Sequence, residues 1–332
     1  IDEVANAGFN AIRIPVTWRN FIVDNGNGTY TIRQEWLDRV KEVVGYAQNN
    51  DMYIIVNMHH DDKDWLDITK TGDEWDAIVE KYRQIWNQIA TEFKDYDEKL
   101  LFEPFNEIRA QDKVTGSHNW TGNTTYWNLL DEMHSVFYET VRNSGGNNGK
   151  RYLVIQSFGG MRDGSQLYHI AEWIKERYAK GDDHLIGSMH WYPGMTTYRP
   201  YYDAILNRCK TMFVDEGIPM LIGETGVESF KSDAYSDENK ANWGATVFGW
   251  FEEMGLKGII WDDHGNFCNT YYDENGEIAR RYPLYVAAIA EATAKDDIDS
   301  IKYGVYIDSS LKNKVADGKT YTLPASSQAG FV

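Results

Sequence analysis

The sequence predicts an α/β protein folded as a (β/α)8 TIM barrel, and three observations predict it. Short, nearly continuous apolar runs alternate with longer stretches of helical period. No two runs follow each other without such a stretch between them. No G-x-G-x-x-G or phosphate-loop pattern follows any run. The first two select a parallel sheet with crossover helices. The third weakens the alternative, a doubly wound nucleotide-binding sheet.

The runs are Ala11–Val16, Met52–Met58, Leu100–Phe105, Tyr152–Gln156, Leu185–His190, Pro219–Gly223 and Gly258–Trp261. Most are β-branched or aromatic and apolar on both faces, as strands covered by helices must be. Helical period follows between them. Trp36, Val40, Val43, Val44 and Ala47 fall on one face, as do Trp75, Ile78, Val79, Tyr82, Ile85, Trp86 and Ile89, and again Trp127, Leu130, Met133, Phe137 and Val141. Leu167–Tyr178, Tyr201–Phe213, Asn239–Met254 and Tyr282–Ala294 read as further helices. These stripes are helix faces that pack on a sheet.

Seven strands are one short of a barrel. Ile1–Ala7 reads as the end of a helix leading into Ala11–Val16, so the first βα unit is missing from the pattern and is expected upstream of Ile1. The barrel is assigned to residues 1–294. Residues 295–332 are polar and are expected to be a tail, a linker or a partial accessory module. They carry weak strand signals at Tyr303–Ile307 and Thr320–Leu323 around an Asp317-Gly318 turn. A sheet short of one strand exposes two edges, and Tyr303–Ile307 is a candidate to cover them.

Composition narrows the function. A chain 42% hydrophobic and 25% charged, with only 7 prolines, is neither disordered nor collagen-like. Its apolar runs are too short to span a bilayer, and no charged-then-apolar leader opens it. With 51 acidic against 33 basic residues the formal charge is −18, which argues against nucleic acid and anionic membrane as partners. The 12 tryptophans serve mainly the core, but they also suit a cleft that stacks neutral flat ligands such as sugar rings. Cys209 and Cys268 form no disulfide framework and no CxxC metal spacing, and whether they pair is left open. Asn27, Asn119 and Asn123 stand in N-x-S/T patterns, which arise often by chance.

Barrels carry their chemistry at the C-terminal ends of strands. Here those ends, or the strands themselves, supply Arg13, Asn57-Met58-His59-His60, Phe105-Asn106-Glu107, His190-Trp191-Tyr192, Gly223-Glu224 and Trp261-Asp262-Asp263. Each alone has an ordinary structural reading, but six of seven strands equipping one rim do not. Arg13, inside an apolar strand, is costly unless it meets a carboxylate. Glu107 and Glu224 form a pair of the kind that cleaves glycosidic bonds, one protonated and one ionised. A metal hydrolase using His59, His60, Asp61, Asp62 and His190 is disfavoured. Adjacent histidines on a strand point to opposite faces, and no HxH or HExxH spacing is present. No G-x-S-x-G supports a serine hydrolase.

These segments resemble glycoside hydrolase family five, the large cellulase family of clan A, from the start of the chain to about residue 292. The resemblance rests on Gly8-Phe9-Asn10-Ala11-Ile12-Arg13-Ile14-Pro15-Val16-Thr17-Trp18, Met52 to Asp61, Phe102-Glu103-Pro104-Phe105-Asn106-Glu107, His190-Trp191-Tyr192, Ile222-Gly223-Glu224-Thr225-Gly226 and Ile260-Trp261-Asp262. It is strongest toward the endoglucanase and xyloglucanase branch of plant-degrading anaerobic microbes. It implies Glu107 as general acid/base and Glu224 as nucleophile. It further implies that Asn106 binds the sugar 2-OH and that Arg13 and Tyr192 hold Glu224 ionised and aimed. His59 and His60 would contact the −1 sugar, His190 would hydrogen-bond near Glu107, and Trp261 would floor the −1 ring. Trp18, Trp65 and Trp120 are candidates for subsite stacking.

Retention needs carboxyls about 5–5.5 Å apart, which opposed strand ends across a barrel mouth can supply. Asn106 and Glu107 are adjacent, so both face the site only if the strand end bulges. The family usually has Pro after the catalytic Asn-Glu, whereas Ile108 stands here. The implied activity is a retaining endo-β-1,4-glucanase acting on a β-linked polysaccharide, with xyloglucan a further candidate, no cofactor and no metal. An endo-β-mannanase and a non-catalytic glycan-binding barrel are the alternatives. The substrate implies a secreted or cell-surface location and is compatible with further modules.

Overall fold

The computed structural model describes residues 1–111, 117–195, 199–227, 235–262, 270–272, 275, 278–280, 282–293 and 303–306. The barrel strands are β1 (Ala11–Ile14), β2 (Tyr53–Asn57), β3 (Leu100–Glu103), β4 (Leu153–Gln156), β5 (Leu185–His190), β6 (Met220–Thr225), β7 (Lys257–Trp261) and β8 (Tyr303–Tyr306). The crossover helices are α1 (Gln34–Gln48), α2 (Asp73–Glu92), α3 (Thr124–Asn143), α4 (Gly164–Tyr178), α5 (Arg199–Met212), α6 (Asp237–Glu253) and α7 (Pro283–Thr293). The strands close in the order β1-β8-β7-β6-β5-β4-β3-β2, a (β/α)8 barrel. Each of the seven apolar runs forms a strand and each helical stripe a helix, with ends within a few residues of expectation.

The eighth strand comes from the polar tail. β8 pairs in parallel with β1 (Ile12 opposite Val305) and with β7 (Ile260 opposite Val305), the place that counting seven strands left open. The sheet therefore runs past the boundary drawn at residue 294. That boundary rested on composition, and four residues of strand inside a polar segment barely alter a composition. The Thr320–Leu323 signal and Cys268 lie outside the described residues.

The chain divides into two compact units. One comprises Ile1–Pro15, Val44–Ile55 and His190–Val332, the other Val16–Val43 and Val56–Met189. In the first, α6 packs on α7. A Cβ on Gly244 would lie 2.8 Å from Ile289, so only glycine permits that approach. Asp237, at the start of α6, accepts the backbone N–H groups of Leu284 and Tyr285 and so satisfies the N-terminus of α7.

The second unit is built on aromatic packing. Trp86 of α2 meets Phe137 of α3 edge-on at 4.5 Å and Phe102 of β3 at 5.7 Å. Arg151, 1% exposed, donates to the carbonyls of Phe93, Tyr96, Asp97 and Leu100, tying the end of α2 to the entry of β3. Asn123 caps α3 through the Tyr126 N–H. Among the described residues no helix is long and apolar enough to cross a membrane.

Candidate active site

In the first unit everything converges on Glu224. It is 4% exposed and lies where the register of β6 slips. Ile222 is opposite Gly258 and Thr225 opposite Ile260, so three steps on β6 match two on β7. Such a bulge re-aims a side chain. Arg13 of β1 is fully buried and its Nη1 donates to Glu224 Oε1 at 2.9 Å. The buried cation thus meets the carboxylate it required. The Tyr192 hydroxyl donates to Oε2 at 2.8 Å, and His190 Nδ1 lies 3.4 Å from the same oxygen. Both oxygens are therefore held, which fixes the carboxylate's orientation and favours its charge.

Within its own unit His190 faces Glu224. Tyr192, two residues on and just beyond the end of β5, contacts the same carboxylate. The chain beyond β5 is pinned where Trp191 N–H donates to the Glu224 carbonyl and Trp243 Nε1 to the Pro193 carbonyl. Trp261, the last residue of β7, is half-buried.

The second unit carries Glu107. β3 ends at Glu103, so Asn106 and Glu107 lie beyond the strand rather than on a bulge within it. Glu107 has φ +42°, a left-handed conformation uncommon outside glycine. Its peptide is gripped from both sides. The Glu107 N–H donates to Gln156 Oε1 at 2.6 Å, and its carbonyl accepts from Arg109 Nη1 at 2.9 Å. The Arg109 Nη1 is also 3.8 Å from the Glu107 carboxylate and 3.7 Å from Asp62, and its guanidinium lies 4.2 Å over the Trp120 ring. Asn106 is 5% exposed.

Beneath these groups runs a polar layer that sequence reasoning missed. β2, β3 and β4 each end on a buried polar residue: Asn57, Glu103 and Gln156. Asn57 Nδ2 donates to Glu103 Oε2 at 3.0 Å and lies 3.1 Å from His59 Nδ1, while Gln156 Nε2 donates to Glu103 Oε1 at 3.3 Å. The signal was available: three consecutive apolar runs carry Asn57, Glu103 and Gln156 at or near their ends, and polar residues buried there need partners.

His59 is 3% exposed and His60 half-buried, and their rings meet edge-on at 4.3 Å. The expectation of opposed faces fails because β2 ends at Asn57, before either histidine.

Trp18 is corrected. It is fully buried, with its N–H on Asp61 Oδ2 at 3.0 Å and its Nε1 on the Asn57 carbonyl at 3.0 Å, so no sugar ring can stack on it. Asp61 also accepts from Trp65 Nε1 at 2.8 Å, and its burial pushes its pKa up to about 6 against these hydrogen bonds. Trp65 is half-buried and Trp120 is 37% exposed.

Comparison with known proteins bears on what these two halves are. Residues 1–266 match the family profile Cellulase (glycosyl hydrolase family 5). The chain is 34% identical to Endoglucanase A of Ruminococcus albus, over 84% of this chain and 75% of that protein. It is 36% identical to Endoglucanase B of the same organism, over 81% of this chain but only 64% of the relative. It superposes on a xyloglucan-specific endo-β-1,4-glucanase from a metagenomic library, solved with cellotriose. The TM-score is 0.68 at 32% identity, covering 87% of this chain and 86% of that one. Profile, relatives and fold agree: the chain belongs to glycosyl hydrolase family 5, the cellulase family.

Proposed function

We propose that this chain is a retaining endo-β-1,4-glucanase in which Glu224 is the nucleophile and Glu107 the general acid/base. The observation that carries this reading is the treatment of Glu224. A buried carboxylate that receives Arg13 on one oxygen and Tyr192 on the other stays ionised and oriented.

Glu224 attacks the anomeric carbon and forms a glycosyl-enzyme, while Glu107 gives its proton to the departing glycosidic oxygen. Glu107 then takes a proton from water, which attacks the same carbon and releases Glu224 with net retention. Asn106 binds the 2-OH of the −1 sugar, His59 and His60 contact that sugar, and Trp261 lies under its ring. No step calls for a metal or cofactor. The polymeric substrate places the enzyme outside the cell, on β-glucans and with xyloglucan as a further substrate.

Glu224→Gln is expected to lose hydrolysis of carboxymethyl cellulose by at least about 10³-fold, since the nucleophile supplies the covalent step. Its circular dichroism should stay that of a folded barrel. More than a trace of activity in that variant would refute the nucleophile assignment. NMR of the first-formed product should show the β anomer, and an α product would exclude double displacement. In a panel of glucan, xyloglucan, mannan and xylan, turnover of mannan alone would replace the glucanase reading with a mannanase. Binding of cello-oligosaccharide without turnover would leave a glycan-binding barrel.

A further inference from the structure

Glu103 is a fully buried carboxyl group to which the proposed reaction gives no part. It ends β3, while Asn57 ends β2 and Gln156 ends β4, and both are fully buried. All three lie in the second unit. Glu103 Oε2 accepts from Asn57 Nδ2 at 3.0 Å, and its Oε1 accepts from Gln156 Nε2 at 3.3 Å. A side-chain amide has two unlike ends, an oxygen that only accepts and an NH2 that only donates. Whichever end faces Glu103 therefore decides which end faces outward. Because both Glu103 oxygens accept, both amides turn their NH2 groups toward it.

The amides carry that choice to two groups of the site. On the Gln156 side the outward end is Oε1, which accepts the Glu107 N–H at 2.6 Å. On the Asn57 side Oδ1 accepts the Val16 N–H at 3.2 Å, and Nδ2 also lies 3.1 Å from His59 Nδ1. An NH2 group offers no lone pair, so Nδ1 is the acceptor and carries no proton. A neutral imidazole in that position holds its proton on Nε2. The backbone agrees with this sense at both amides. The Val16 and Glu107 N–H groups each need an oxygen, and each finds one where Glu103 would have the amide place it.

We propose that Glu103 is a positioning residue that sets the sense of both amides at once. Through Gln156 it fixes the peptide that carries Glu107, and through Asn57 it holds His59 as the Nε2–H tautomer, so that a sugar hydroxyl meets His59 as a donor. The kinetic part rests on the reading of Glu107 as acid/base and His59 as a sugar contact, whereas the tautomer is independent of that reading.

The wild-type tautomer is read from long-range 1H–15N spectra of enzyme labelled with 15N-histidine, at pH 8. The His59 signals are those missing from His59→Gln. They should show the proton on Nε2, and a proton on Nδ1 overturns the proposal without recourse to any variant of Glu103. Glu103→Gln nearly keeps the volume but replaces one accepting oxygen with a donor, so one of the two amides must turn over. If Asn57 turns, the His59 proton moves to Nδ1. If Gln156 turns, Glu107 loses its aim. kcat on cellohexaose should then fall at least about tenfold relative to kcat on 2,4-dinitrophenyl β-cellobioside, whose leaving group departs without a proton. A merely structural role would lower thermal stability and move neither readout. A folded Glu103→Gln enzyme with the wild-type tautomer and the wild-type kinetic ratio therefore overturns the proposal. Wild-type protein that turns over neither substrate overturns the glucanase reading instead, and the spectrum still decides the tautomer.

Discussion

At the residue scale, the proposed acid/base, Glu107, sits on a peptide held in an unfavourable conformation. A left-handed residue other than glycine costs about 1–2 kcal/mol, and at Glu107 the cost is offset by Gln156 on the N–H and Arg109 on the carbonyl. Gln156 is then a positioning residue. Gln156→Met removes the acceptor for the Glu107 N–H and the donor to Glu103, leaving buried polar groups short of a partner. It should destabilise the fold by about 1–3 kcal/mol. Its particular signature is kinetic. kcat should fall about 10- to 100-fold with KM nearly unchanged, because the substrate still binds while the proton donor is misaimed. A rise in KM at constant kcat would assign Gln156 to substrate binding instead.

Individual residues also mark what was legible. Arg13 declared itself because a cation inside an apolar strand must find a carboxylate, and it found Glu224. Trp18 misled because tryptophan serves cores and sugar clefts alike, and only its zero exposure decides between them. The positive φ of Glu107 left no trace in the sequence, since no glycine or asparagine stands there to announce it.

At the element scale, helices were the easiest to read, because their stripes repeat over many residues. β8 was the hardest. Four residues in a polar tail carry almost no periodic signal, and what makes them a strand is the pair of edges offered by β1 and β7. Stability should then depend on that short segment. Val305 sits between Ile12 and Ile260, and Val305→Pro withdraws a backbone donor from the middle of the ladder. With one ladder bond gone and the neighbouring carbonyl left short, the loss should be about 2–4 kcal/mol, read as an earlier denaturant midpoint. A midpoint equal to wild type would mean that the sheet does not need β8.

At the scale of the whole molecule, the charge of −18 suggests that acid should stabilise the protein, since protonating surface carboxylates relieves repulsion. One buried group works in the opposite direction. His134 of α3 is fully buried, its ring 5.1 Å from Phe105 and 5.5 Å from Trp173, with the Arg177 guanidinium 3.5 Å over Trp173. Burial first, then the Arg177 charge, pulls its pKa from 6.5 down to about 3. Between those values the unfolded chain binds a proton that the folded chain refuses. The stability His134 contributes is therefore complete above pH 6.5 and is lost as the pH falls toward 3.

Asp61 has the opposite sign. Its folded pKa of about 6 lies above the ordinary 3.8, so its contribution weakens as the pH rises through that window. His134→Phe separates the two, because it keeps an aromatic ring in the stack and removes the titration. The variant should gain on wild type by about 2–3 kcal/mol between pH 7 and pH 4.5, measured by denaturant unfolding at both values. Parallel pH slopes in the two proteins would place the acid sensitivity elsewhere in the fold.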